Sequence, residues 1–148
     1  MKTLINNLIT VYRNAIGSTL SAKIVIKGFD QAEPSQVPIS QYPYLALDDG
    51  GEVVEANIAN STQIRKYTVS FFFAVIIGNP ETSLDDILDL SDEIKTILEL
   101  QANRQKDGHT WGITVTPIAG ELDVDKFFRG RQVNVEFNEI EFVDYQEY

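Results

Sequence analysis

Side-chain catalysis needs groups with transferable protons or free lone pairs that converge in one place. Few positions of this chain offer them. His109 is the single histidine and follows Asp107-Gly108, a turn-forming pair. It could relay a proton only beside a nucleophile and an orienting carboxylate. No Gly-x-Ser-x-Gly elbow accompanies it, so it reads as a solvent-facing turn residue. Asp85, Asp89, Asp92 and Glu93 stand at i, i+4, i+7 and i+8 of a helical pattern. Carboxylates so spaced share a face and could hold a hard cation such as Mg²⁺ or Ca²⁺. No loop adds the carbonyl ligands of a calcium cage, so this too reads as a solvated face. Asp123-x-Asp125 is too short to specify a site. Cysteine is absent, which removes thiolate nucleophiles, disulfides and cysteine metal sites. Neither glycine-rich phosphate pattern occurs. The sequence reads as that of a non-enzyme, with no catalytic residue, metal or cofactor.

The charges suggest contacts rather than chemistry. Twenty-two acidic residues against twelve basic ones leave a net charge of −10. General nucleic-acid binding rests on neutralising phosphates with Lys and Arg, so this balance argues against it. An acidic surface is useful near DNA only where DNA must pass without sticking. Arg65-Lys66 is the dense basic pair, and it opens one apolar stretch. Arg129 and Arg131 open another. These four residues are expected near one another, facing acidic groups of a neighbouring subunit.

The element that must position them is residues 64–77, Ile-Arg-Lys-Tyr-Thr-Val-Ser-Phe-Phe-Phe-Ala-Val-Ile-Ile. Tyr67, Val69, Phe71, Phe73, Val75 and Ile77 alternate on one face. Phe72, Ala74 and Ile76 make the other face apolar as well. This predicts a central strand covered on both sides over its second half. The apolar run 71–77 is far shorter than the roughly 20 residues of a membrane-spanning helix.

Around that strand, Leu4, Ile5, Leu8, Val11, Tyr12, Ala15 and Ile16 recur at helical spacing. They predict a helix over 3–16, with Thr3 as N-cap and Gly17 past its end. Residues 22–28 read as a short strand and 30–43, with three prolines, as an extended surface loop. Tyr44–Asp48 reads as a strand, Asp49-Gly50-Gly51 as a tight turn, and 52–58 as the returning strand. After a connector at 59–63, residues 44–68 are expected to form a two-stranded arm that partly leaves the core. Such a ribbon is marginal alone and asks for a partner.

Ser83 is the expected N-cap of a helix over 84–100, with Leu84, Ile87, Leu88, Leu90, Ile94, Ile97 and Leu98 as its buried stripe. A polar loop over 101–108, a strand at 110–118, a loop at 119–128 and a strand at 129–145 close the chain. A parity change after Phe137 suggests a bulge near Asn138 or Glu139. Neither an internal repeat nor a secretory leader pattern is present. The whole is one domain, 1–148, of the α+β class. A mostly antiparallel sheet of about five to six strands carries two helices on one face and a projecting β-hairpin.

The order of these elements and their local texture resemble the bacteriophage tail terminator, or tail completion, proteins. The resemblance rests on the helix at 3–16, the strand at 22–28 and the Pro-rich approach to Tyr42-Pro43-Tyr44-Leu45-Ala46-Leu47. It continues through the entry Arg65-Lys66-Tyr67-Thr68-Val69-Ser70-Phe71, the turn at 78–83 and the helix at 84–100. The long 101–110 loop and the acidic, aromatic C-terminal tail at 141–148 depart from shorter relatives.

The resemblance implies a non-enzymatic virion protein of the tail or neck, assembled in the host cytoplasm. It would form a hexameric ring on the head-proximal end of the tail tube, stop tube polymerisation and dock the head connector. The partners implied are further copies of the chain, the tube protein, a connector or neck protein and, in a sheathed tail, the sheath. DNA would be passing cargo, with no membrane involved. The subunit or partner contacts are assigned to Arg65, Lys66, Glu52, Glu55, Phe127, Phe128, Arg129 and Arg131. The alternatives are another neck or tail component (a head–tail adaptor, a tube or a sheath protein) or a small ligand-binding domain or enzyme.

Overall fold

In chain order the elements are α1 (Lys2–Ala15), β1 (Ile24–Lys27), a 3₁₀ turn (Ile39–Gln41), β2 (Tyr44–Ala59), β3 (Thr62–Ile77), α2 (Pro80–Gln105), β4 (His109–Asp123) and β5 (Lys126–Phe142). The computed structural model describes the backbone of residues 1–59, 62–105, 109–123 and 126–142. It describes the side chains of 1–53, 65–79, 81–100, 111–112, 114–122 and 126–138. The sheet runs in the order β1-β2-β3-β5-β4. Among the described strands, β1–β2 is the parallel pair and the others are antiparallel. The fold is α+β, with β3 in the middle of the sheet as its sequence predicts.

Both faces of β3 are covered, by different parts of the chain. Val69, Phe71, Phe73 and Val75 pack with Leu45, Leu47, Val133, Val135 and Phe137 beneath the helices. α1 contributes Leu4, Ile5, Leu8, Ile9 and Tyr12; α2 contributes Ile87, Leu90, Ile94, Ile97 and Leu98. The opposite face carries Tyr44, Ala46, Phe72, Ala74 and Phe128, with Ala32, Val37 and Tyr42 laid over them. The proline-rich segment is thus the lid of a second apolar layer. Tyr42 donates to the Pro34 carbonyl at 2.6 Å and Tyr44 to the Ala32 carbonyl at 2.7 Å. These bonds satisfy the hydroxyls, which could otherwise not be buried cheaply.

Several local expectations are corrected. Asp49-Gly50-Gly51 does not reverse the chain. β2 continues to Ala59, and the three residues form an irregularity in its pairing with β3, between Asp49↔Val69 and Glu52↔Tyr67. Gly51 takes φ +104°, which explains the glycine without a turn. The predicted two-stranded arm is not two-stranded: β5 pairs with β3 as far as Thr62↔Phe142. A third strand removes the weakness of an isolated ribbon. β3 and β5 stay in register throughout, so there is no bulge at Asn138 or Glu139. The predicted loop at 119–128 is strand on both sides, closing at Asp123↔Lys126.

The helix ends shift as well. α1 starts before Thr3 and has no side-chain cap, whereas Gly17 past its end takes φ +83°. α2 starts at Pro80, a favoured first helical residue. Asn79, not Ser83, caps it: its side-chain oxygen accepts from the Glu81 and Thr82 amides at 3.0 and 3.4 Å. The helix also continues to Gln105, through much of the predicted 101–108 loop. Among the described residues no helix is long and apolar enough to cross a membrane.

Candidate subunit interface

The four basic residues assigned to one contact are not neighbours. Arg65 lies opposite Glu139 of β5, whereas Arg131 lies opposite Phe73 and Arg129 opposite Val75. Antiparallel pairing sets the start of β3 beside the end of β5. Eight residues of β3 separate Arg65 from Phe73, or about 26 Å at ~3.3 Å per residue.

Arg65 and Lys66 are also divided, because successive strand residues point to opposite faces. Arg65 shares parity with Tyr67 on the helix side, and its Nη1 lies 3.7 Å from Glu52 Oε1. Lys66 points to the other side, where its Nζ lies 3.2 Å from Glu136 Oε2 of β5. Both are diagonal cross-strand pairs. The dense basic pair of the sequence is therefore two separate ion pairs within one chain. The Glu55 side chain lies outside the described residues.

The two phenylalanines separate in the same way. Phe128 is buried, part of the second apolar layer, and offers no surface. Phe127 is 43% exposed on the helix side.

Arg129 and Arg131 share the helix-side parity with Val133 and Val135. There they meet a feature that the sequence conceals. α2 covers β3 and part of β5 but leaves a gap beside residues 117–119 of β4. Leu84 and Leu88, predicted to be buried, are 44% and 40% exposed. They form one wall of a groove of about 250 Å³; Pro117 and Ala119 of β4 form the other, and Arg129 and Arg131 line it. Arg131 reaches Ser91 Oγ at 3.4 Å. Among the described residues neither arginine has a carboxylate within ion-pair distance. The sequence carries no local signal for this groove, because strand order decides which residues line it.

The sheet also has unfilled backbone on both sides. β1 covers β2 only from Tyr44 to Leu47. From Asp48 to Ala59 the outer edge of β2 has no strand partner among the described residues. At the opposite side β4 is the last strand, fifteen residues long. Pro117 and the irregularity around Gly112 interrupt its free edge, as edge strands commonly are.

The other candidates do not converge. Glu93 accepts from the Ser21 amide at 3.0 Å and the Ser21 hydroxyl at 2.8 Å, tying α2 to the segment after α1. Asp86, Asp89 and Glu93 line an open cavity of about 480 Å³ with Tyr42, Pro43 and Val75. No group of three metal-ligating side chains occurs among the described residues. The side chains of His109, Asp123 and Asp125, and the tail from 143 onward, lie outside them. No protein-family model and no curated protein matches this chain.

Proposed function

We propose that this chain is a structural subunit of a phage tail: a ring that caps the head-proximal end of the tail tube and docks the neck. The observation that carries the reading is the pair of sheet edges on opposite sides of one chain, β4 and the outer part of β2, that have no strand partner among the described residues. An open edge pairs readily with another strand. When the two edges differ, copies join head to tail, and such contacts close into a ring if the rotation between copies allows it. The resemblance of the element order to tail terminator proteins supports six copies, and the negative charge supports a bore through which DNA slides.

Light scattering and electron microscopy of the purified chain test the ring, with a six-fold annulus as the expected result. Tails assembled without the protein, scored for length, test the role. Overlong tails lacking heads identify a terminator. Tails of normal length that fail to join heads move the ring to the neck, and normal particles overturn both readings.

A further inference from the structure

We infer that the groove between α2 and β4 is the seat for residues 143–148 of a second copy of this chain. The inference rests on the head-to-tail assembly proposed above and names one contact within it. The groove pairs apolar walls (Leu84, Leu88, Pro117) with two arginines that have no carboxylate partner among the described residues. Its occupant should therefore be apolar and acidic at once. Val143-Asp-Tyr-Gln-Glu-Tyr148 has that composition: two carboxylates alternate with Val143, Tyr145 and Tyr148. Arginine favours such a partner because its guanidinium can pair with a carboxylate while its plane stacks on a ring.

Reach decides which copy supplies the segment. Phe142 ends β5 opposite Thr62, whereas Arg131 lies eleven residues back along β5, about 36 Å at ~3.3 Å per residue. Six residues fully extended span about 21 Å. The segment cannot fill the groove of its own chain. Phe142, from which it continues, lies in the same half of the sheet as the open edge of β2, which pairs with the outer part of β3. A neighbour that pairs this edge with β4 would carry its own 143–148 segment to the β4 side, where the groove lies.

The chain lacks cysteine, so an engineered pair reports this contact without background. Leu88→Cys and Tyr145→Cys made in separate full-length chains, mixed and oxidised, should give a covalent dimer. Both substitutions in one chain should give a ladder of covalent oligomers rather than a closed monomer. In parallel, a fluorescein-labelled peptide of residues 141–148 should bind the full-length chain. Arg129→Glu with Arg131→Glu should weaken that binding about tenfold or more, whereas Lys2→Glu with Lys95→Glu should leave it unchanged. Rings that form normally while the mixture does not cross-link and the peptide does not bind overturn this contact and leave the ring reading standing. Peptide binding and cross-linked dimers without rings keep the contact and overturn the ring. A closed monomer from the doubly substituted chain overturns the assignment to a second copy.

Discussion

The hydroxyl of Tyr12 on α1 donates to the carbonyl of Ile94 on α2 at 2.8 Å, eighty-two residues away and fully buried. The same ring meets Phe71 of β3 edge to face, with centroids 5.9 Å apart. One side chain thus ties both helices to the central strand. Burial pushes the Tyr12 hydroxyl well above its ordinary 10.0, because the phenolate would lose its hydration. The stability this provides is complete below about pH 10. It falls as pH rises further, since the unfolded chain releases a proton that the folded chain retains. Each such tyrosine should lower stability by up to about 1.4 kcal/mol per pH unit above pH 10. Urea midpoints from pH 7 to 11.5 should show this decline, and Tyr12→Phe should make it shallower while costing about 1 kcal/mol at pH 7. An unchanged alkaline slope would refute the assignment.

Adjacent phenylalanines on β3 serve different layers, and their truncation should separate the two. Phe73 lies under the helices at 0% exposure, while Phe72 lies under the proline-rich segment at 8%. Phe73→Ala should cost about 3–5 kcal/mol in global stability, the usual range for a buried aromatic. Phe72→Ala should cost less. Its clearest effect should be local: faster amide exchange and proteolysis within residues 29–43, with the α1 amides unaffected. Equal protection of the 29–43 segment in both variants would show that the two layers unfold as one.

The contrast between these layers explains how much of the molecule could be read in advance. Alternation in 67–77 reveals a strand apolar on both faces, and it was legible because the period of two is strict there. What covers the second face was not legible, because residues 30–43 bury only scattered positions such as Ala32, Val37 and Tyr42. Strand ends failed for a related reason. Gly50-Gly51 and Gly120 resemble turn signals, yet here they admit positive φ or close approach inside continuous strands. The groove at Arg129 and Arg131 escaped because pairing decides which end of β3 they meet, and strand order is not a local property. Leu84 and Leu88 fit an apolar stripe, but the stripe does not show how far the sheet beneath it extends.

Gly50 supplies a direct test of the strand assignment. A methyl group there would sit 2.8 Å from the Thr68 carbonyl oxygen and 2.8 Å from the Thr68 methyl. Backbone cannot yield as a flexible side chain can, so Gly50→Ala should destabilise by about 1–3 kcal/mol. Gly51→Ala meets no atom but must hold φ +104°, at a strain of about 1–3 kcal/mol. Insertion of one residue between Asp49 and Glu52 is more discriminating. A tight turn at this place would absorb it by loop adjustment. A continuous β2 must shift every pairing beyond, so the insertion should lower the thermal midpoint by more than either alanine. A tolerated insertion would restore the turn.

Lys66 and Glu136 distinguish an internal ion pair from an assembly contact. Their side chains are each 27% exposed and 3.2 Å apart across β3 and β5. Partly exposed cross-strand pairs contribute about 0.2–1 kcal/mol. Lys66→Glu should therefore lower monomer stability modestly, through the like-charge contact it creates with Glu136. Glu136→Lys added to it reverses the pair and should restore most of the loss, giving a favourable coupling in a double-mutant cycle. The same two variants can be scored for ring formation by light scattering. If Lys66 acts only within its own chain, the reversed pair should assemble as the parent does. If Lys66 faces a neighbour, the reversed pair should regain stability but not assembly, because the neighbour's matching charge is unchanged. Recovery of both would remove Lys66 from the interface and leave the open edges and the arginine groove as the surfaces that join copies.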